Sequence, residues 1–238
     1  MKGKKIPILF YHKIDYPDPR ARVKGLYVTP ENFYRQMRYL KWRRFNTITA
    51  AEYIDYLEKG DPLPPRPILL TFDDGYRDNY LNAFPILKKF GFTATIFLVV
   101  GDVGEKVRWE DSEEQLEAEI LTWEEIKEMK EYGIDFQSHT LTHARLTKLS
   151  PEKIEEELYR SRKILEDKLS SSVTSLAYPY GSFNEEIKKI AQKSGYKGAF
   201  TTLRGEGFDL YGIKRIGVKY HHRLWRFIRF VEWKYKKI

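Results

Sequence analysis

The sequence predicts an α/β fold in which a mainly parallel sheet closes, or nearly closes, into a barrel. Three observations carry that expectation. Short apolar, β-rich runs alternate with amphipathic stretches six or seven times along the chain, the pattern of parallel strands joined by helical crossovers. The length of 238 residues suits one domain of that kind. A composition 42% hydrophobic and 15% aromatic supplies a sizeable core and excludes a disordered chain.

The elements follow in order. A strand is expected over 6–11. Thr29-Pro30-Glu31 puts a hydroxyl cap before a proline at the first helical position, starting a helix over 30–43. A short strand near 47–49 and a helix over 50–57 come next. A strand over 68–72 leads to a helix over 80–90, stopped at Gly91, and then to a strand over 95–99. The segment 101–121 carries eight acidic residues and reads as a surface excursion over one end of the barrel. Beyond it a helix over 123–132 and a strand over 134–137 are followed by a helix over 151–169, announced by Ser150-Pro151-Glu152. Strands over 175–177, 199–201 and 213–217 and a helix over 184–194, stopped at Gly195, complete the pattern. No repeat, low-complexity tract or linker interrupts it, so residues 1–238 are expected to form a single catalytic domain. It ends in a basic, aromatic helix over about 221–237, with Leu224, Phe227, Ile228, Val231 and Tyr235 on one face.

Composition narrows the chemistry. With no cysteine, disulfides, thiolate metal sites and a cysteine nucleophile are excluded. Any metal must be held by carboxylates and some of only five histidines. No apolar run approaches the roughly 18 residues of a membrane helix. The net charge of +8 is uneven: +9 over the first fifty residues, +6 over the last twenty and −7 between them. That basic end is expected to be a helix closing the barrel, with peripheral contact to an anionic membrane or cell-wall polymer as a further partner. No nucleic acid is expected, because no recognised binding motif accompanies the charge. The apolar stretch after the first five residues is short and contains Pro7, too little for a signal peptide. The expectation is a cytoplasmic protein for the sequence as it stands, and an extracellular or cell-envelope one if a leader has been removed.

In such folds the reacting groups gather where strands end, and three strand ends are conspicuous. Ile68-Leu69-Leu70-Thr71-Phe72 runs into Asp73-Asp74-Gly75. Adjacent side chains there diverge, which suits one carboxylate binding a cation while the other faces what the cation holds. The same dipeptide before a glycine is also ordinary turn chemistry. The strand over 134–137 runs into Ser138-His139-Thr140-Leu141-Thr142-His143. Two imidazoles four apart face one point if the chain turns helically between them, and an Asp with two His leaves a position open for water, as in catalytic zinc sites. The third, Ser175-Leu176-Ala177, enters the aromatic turn Tyr178-Pro179-Tyr180-Gly181.

Together these segments resemble the polysaccharide deacetylase (NodB-homology) family of carbohydrate esterases, in the order Thr-Phe-Asp-Asp-Gly, His-x-x-x-His and aromatic-Pro-Tyr, over roughly residues 6–218. The resemblance implies a distorted (β/α) barrel with about seven parallel strands and metal-dependent removal of N-acetyl groups from amino-sugar polymers. It implies Asp73 as general base, Asp74, His139 and His143 as ligands of one divalent ion (zinc first, with cobalt, nickel or iron as alternatives), and the Tyr180 backbone as an oxyanion donor. The sequence departs from the family in two places. Ala177 stands where many members carry an arginine, and the downstream acidic pair and Leu-x-His are missing. Instead Ile8-Leu9-Phe10-Tyr11-His12 resembles the circularly rearranged branch that includes deacetylases of biofilm poly-N-acetylglucosamine, making His12 the candidate general acid. Arg215, in Ile213-Lys214-Arg215-Ile216, is the candidate to replace the missing arginine and orient Asp73. Three alternatives remain at this level: an amidohydrolase acting on a small cyclic amide or ureide, a glycan-binding protein with a degraded site, and a non-haem iron oxygenase, since two His and one carboxylate also make that triad. Tyr76, Trp109 and Trp123 read as exposed aromatics able to stack on sugar rings, with core packing the commoner fate of a tryptophan and none of the three singled out.

Overall fold

The computed structural model describes residues 6–19, 21, 23–109, 118–203 and 209–236. Its strands are β1 (Ile8–Tyr11), β2 (Asn46–Ile48), β3 (Pro67–Phe72), β4 (Thr95–Leu98), β5 (Asp135–Ser138), β6 (Ser175–Ala177), β7 (Gly198–Thr201), β8 (Ile213–Lys214) and β9 (Ile216–Gly217). The helices are α1 (Pro30–Trp42), α2 (Ala50–Lys59), α3 (Phe84–Phe90), α4 (Trp123–Tyr132), α5 (Pro151–Leu169), α6 (Glu185–Lys193) and α7 (Leu224–Lys236). Among the described residues no helix is long and apolar enough to cross a membrane.

All strand pairs in the sheet are parallel, in the order β8-β7-β6-β5-β4-β3-β1-β9. The two ends of that order are neighbours in the chain. Only Arg215 separates β8, which pairs with β7, from β9, which pairs with β1, so one five-residue segment closes the ring. The strand expected over 213–217 is therefore split because it serves two neighbours. β2 and β4 share one edge of β3, β2 beside Pro67–Leu69 and β4 beside Thr71–Phe72. The seam between them is stitched by Ala50 N donating to Thr95 Oγ1 and Thr93 N donating to Thr47 Oγ1, each 2.8 Å. Setting β2 aside and counting β8 and β9 together leaves seven wall positions, a distorted (β/α) barrel.

Alternation along the strands builds two cores. Leu9, Tyr11, Ile68, Leu70, Phe72, Ile96 and Leu98 pack outward against the helices. Ile8, Leu69, Phe97, Ala177, Phe200 and Ile213 form the second cluster with Ala50, Tyr53 and Ile54 of α2. That helix plugs the barrel, and a Cβ on Gly198 would strike Ile54. Both faces of β3 are covered, hence its unbroken apolar run.

Helix boundaries follow local chemistry. Thr29 caps α1 through Asn32 N, and Thr49 and Thr122 form capping boxes with Glu52 and Glu125, each cap contributing about 1 kcal/mol. Ser150 makes no such bond to the backbone. The helix expected over 80–90 begins instead as a π turn, Asn79–Ala83, before α3. Pro85 has no N–H to continue the ordinary ladder. The turn aims three polar side chains at the segment after β1: Asn79 Nδ2 donates to His12 O (2.8 Å), Asn82 Nδ2 donates to Ile14 O (2.8 Å), and Ile14 N donates to Asp78 Oδ1 (2.6 Å). At the other terminus Phe227 and Val231 of α7 are buried, and Glu232 accepts from Tyr39, Arg43 and Arg66. α7 is thus a closing helix docked on α1; the side chain of Tyr235 lies outside the described residues.

Candidate active site

The strands deliver the polar residues to one mouth of the barrel, at their C-terminal ends. His12 follows β1, and Asp73 N donates to Tyr11 O (3.0 Å), continuing the β1–β3 ladder to the two aspartates. Asp74 and Gly75 both have positive φ, +74° and +77°. At Gly75 this is mandatory, since a Cβ there would meet Leu98 Cδ2 at 2.5 Å. The turn sends Asp74 one way and Asp73 the other.

Asp74 meets the two imidazoles. Its Oδ1 lies 3.3 Å from Nε2 of His139 and 3.4 Å from Nε2 of His143, and all three side chains are buried. The turn that brings the histidines together is not helical. Thr140 and His143 adopt φ of +68° and +59°, and α5 holds the bend: Glu157 accepts from Leu141 N (3.0 Å), Thr142 N (2.9 Å) and Thr142 Oγ1 (2.6 Å). Four of the seven non-glycine residues with positive φ among the described residues, Asp74, Thr140, His143 and Tyr180, are at this site, where local strain is commonly stored.

The donor set fits a divalent cation. His139 Nδ1 donates to the Ala177 carbonyl at 2.7 Å, which fixes the ring with Nε2 toward Asp74 and leaves that nitrogen to serve as a metal ligand. Asp74 Oδ1 and His143 Nδ1 have no hydrogen-bond partner among the described residues. Two nitrogens and an oxygen thus converge, all within 4.8 Å of one another. Ligand bonds of about 2.0–2.1 Å at tetrahedral angles would separate such atoms by about 3.3 Å, matching the observed spacing. It is the one carboxylate–imidazole group of this kind among the described residues. Burial opposes charge on Asp74, but the imidazoles of His139, His12 and His143 outweigh it and hold the carboxyl well below its usual range. Burial pushes His143 down to about 4, leaving it neutral at physiological pH. Burial opposes a charged His139 too, but there Asp74 and Asp73 prevail and raise the imidazole.

Asp73 takes a different partner. Arg215 grips it with both ends of its fork, Nη1 to Oδ1 at 2.6 Å and Nη2 to Oδ2 at 2.8 Å. Nη1 also donates to Thr71 Oγ1 (3.0 Å), which in turn donates to Leu9 O (2.8 Å). The guanidinium lies against the rings of Phe10 and Phe97, 5.0 and 5.3 Å away. Burial would raise the Asp73 carboxyl; Arg215, then His139 and His12, bring it below its ordinary value. The arginine missing at Ala177 in β6 is thus matched by a guanidinium arriving from the β8–β9 junction. His12 is half-buried, its ring edge-on to Phe10 at 5.6 Å, and it lies near enough to Asp73, Asp74 and His143 to be among the groups that shift them. Tyr180, in the tight turn Pro179–Gly181 with φ +59°, lays its ring 4.7 Å from that of His143.

The matched family model is "Polysaccharide deacetylase", over residues 60–199, a span with both aspartates, both histidines and Tyr180. The chain belongs to the polysaccharide deacetylase family. Members of this family hydrolyse N-acetyl amide bonds of polysaccharides in a metal-dependent reaction. The chain is 34% identical to YxkH of Bacillus subtilis (strain 168) over 91% of its own length and 72% of that protein. It is 31% identical to the poly-beta-1,6-N-acetyl-D-glucosamine N-deacetylase of Staphylococcus aureus (strain MSSA476) over 75% of its own length, and spans 62% of that protein. Its fold is similar to that of the Streptococcus pyogenes deacetylase PplD in complex with acetate, with a TM-score of 0.82 and 30% identity over 95% of this chain and 97% of that one. His12 and Arg215 lie outside the span that the deacetylase model matches.

Several neighbours of the deacetylase site carry no sequence signal of their own. Glu157 looks like any helix-surface carboxylate. Tyr76 and Trp109, read as exposed, are 0% and 5% exposed: residues 118–121 fold back on 75–77, pairing Tyr76 with Ile120, and the Trp109 ring lies tilted 4.7 Å from that of His143, which also touches the Tyr180 ring. The guanidinium of Arg145 lies 3.5 Å over the Tyr180 ring. The acidic stretch 110–117 of the expected excursion lies outside the described residues. Among the described residues His221 and His222 belong to no carboxylate–imidazole group; His222 Nδ1 accepts from Lys219 N at 3.1 Å.

Proposed function

We propose that this deacetylase removes N-acetyl groups from an amino-sugar polymer with one zinc ion held by Asp74, His139 and His143. The observation that carries the reading is the buried convergence of those three ligand atoms, with an arginine-clamped Asp73 on the adjoining residue. When bound, the ion supplies Lewis-acid polarisation and a water acidified to a pKa of about 7.

The protein's own groups supply the rest. Asp73, fixed by Arg215, accepts the proton of the attacking water. Arg215 makes the carboxylate a weaker base but holds it in one orientation, and for general-base catalysis geometry is the first requirement. The Tyr180 backbone N–H donates to the carbonyl oxygen as negative charge develops there. An amine leaves poorly as an anion, so His12 protonates it on departure. Trp109 and Tyr180, whose rings both lie against that of His143, restrict water around the ligand. In the same reading, exposed Arg226, Arg229 and Trp225 on the outer side of α7 form the surface for peripheral contact with an anionic membrane or wall polymer.

The test is acetate release from N-acetylglucosamine oligomers before and after chelation, with zinc, cobalt or nickel restored. The expected outcome is release that chelation abolishes and an added divalent ion recovers. Undiminished release after complete removal of metal would refute the reading.

A further inference from the structure

One buried hydroxyl beside the site has no part in the steps above. Tyr76 follows the two aspartates and Gly75, and its backbone is locked on both sides: Leu121 N donates to Gly75 O and Arg77 N donates to Glu119 O, each at 2.9 Å. Its ring is held between Trp109, with centroids 6.3 Å apart, and the Lys13 ammonium, 4.5 Å from the ring centroid. Lys13 is buried and fixed in turn. Its backbone bonds Leu26 O (3.1 Å) and Val28 N (2.9 Å), and its Nζ donates to the Tyr27 hydroxyl at 3.4 Å.

Packing does not explain the Tyr76 oxygen. A phenylalanine would fill the same space and keep both ring contacts without burying a hydroxyl that bonds nothing, an arrangement proteins generally avoid. The Tyr76 hydroxyl and Asp74 Oδ1, two residues apart in one turn, are both buried without a hydrogen-bond partner among the described residues, and after burial the Asp74 charge is the next cause that raises the phenol. A cation over the ring face draws density from the phenol, which makes its O–H a stronger donor.

We propose that Tyr76 is a positioning residue for the metal centre, its hydroxyl donating to Asp74 and setting the angle at which that carboxylate meets the ion. The inference rests on reading Asp74, His139 and His143 as the ligands. Partners of metal-bound side chains typically govern about 10–100-fold in metal affinity or activity.

The test is Tyr76→Phe, with zinc affinity measured by competition against a chromophoric chelator and Tm measured on the metal-free protein. The expected result is zinc binding weakened about 10-fold, a metal-free Tm equal to or above that of the unaltered protein, and acetate release that recovers as zinc is raised. A purely packing role would lower the metal-free Tm and leave zinc affinity alone. Unchanged zinc affinity in Tyr76→Phe, beside an unaltered protein that binds zinc, overturns this inference and leaves the ligand assignment standing. An unaltered protein that takes up no zinc overturns both.

Discussion

Asp73→Asn is expected to lower acetate release by about 10²–10⁴-fold, the range of a general base, while the protein keeps its metal. The reason is the division of labour between adjacent carboxylates. Asp74 lies with the imidazoles, whereas both oxygens of Asp73 are engaged by Arg215 and Asp73 is no member of the carboxylate–imidazole group. An asparagine fills the same volume but cannot accept the proton. Turnover and metal content measured on one preparation decide the matter. If Asp73→Asn loses its metal along with its activity, the roles of the two aspartates are reversed.

Arg215→Met is expected to produce the largest loss of stability. The Arg215 and Asp73 side chains are 0% and 3% exposed, and removing one partner of a buried pair typically costs about 3–5 kcal/mol because the other charge is left uncompensated. The sign of the pH dependence follows. Arg215 leads the groups that hold the Asp73 carboxyl below its ordinary value against burial. A depressed carboxylate contributes stability above its unfolded pKa, and the contribution is lost as pH falls through the folded value. With Arg215 gone, burial raises the Asp73 pKa, and the charged form becomes a liability at neutral pH that protonation relieves. The stability gap between the two metal-free proteins should therefore be widest near pH 7 and narrow as pH falls into the carboxylate range, measured by denaturant unfolding. A gap of constant size would assign the effect to the lost packing on Phe10 and Phe97.

The barrel was legible because its signals are local. Apolar runs ending in polar residues mark the C-terminal mouth, and caps such as Thr29 and Thr49 mark helix starts. The same logic singled out the strand-end residues that the structure brings to one mouth. What was not legible depends on register and on loops folding back. Nothing in Lys214-Arg215 says which side chain enters the barrel; that is decided by β8 pairing with β7 and β9 with β1. Tyr76 and Trp109 look exposed until residues 118–121 cover them. The turn from His139 to His143 suggests a helix by spacing, yet it takes left-handed conformations because Glu157, fourteen residues beyond His143, gathers its amides. The π turn before α3 follows from Pro85, and its use in bonding the backbone of His12 and Ile14 emerges only in three dimensions.

The most direct test is the metal content of the purified protein after loading with zinc and desalting, beside that of a His139→Ala, His143→Ala double variant treated in the same way. One zinc per chain in the first and almost none in the folded second is the predicted result. A double variant that still retains one tightly held ion, or an unaltered protein that retains none, contradicts the assignment of that cation to Asp74, His139 and His143.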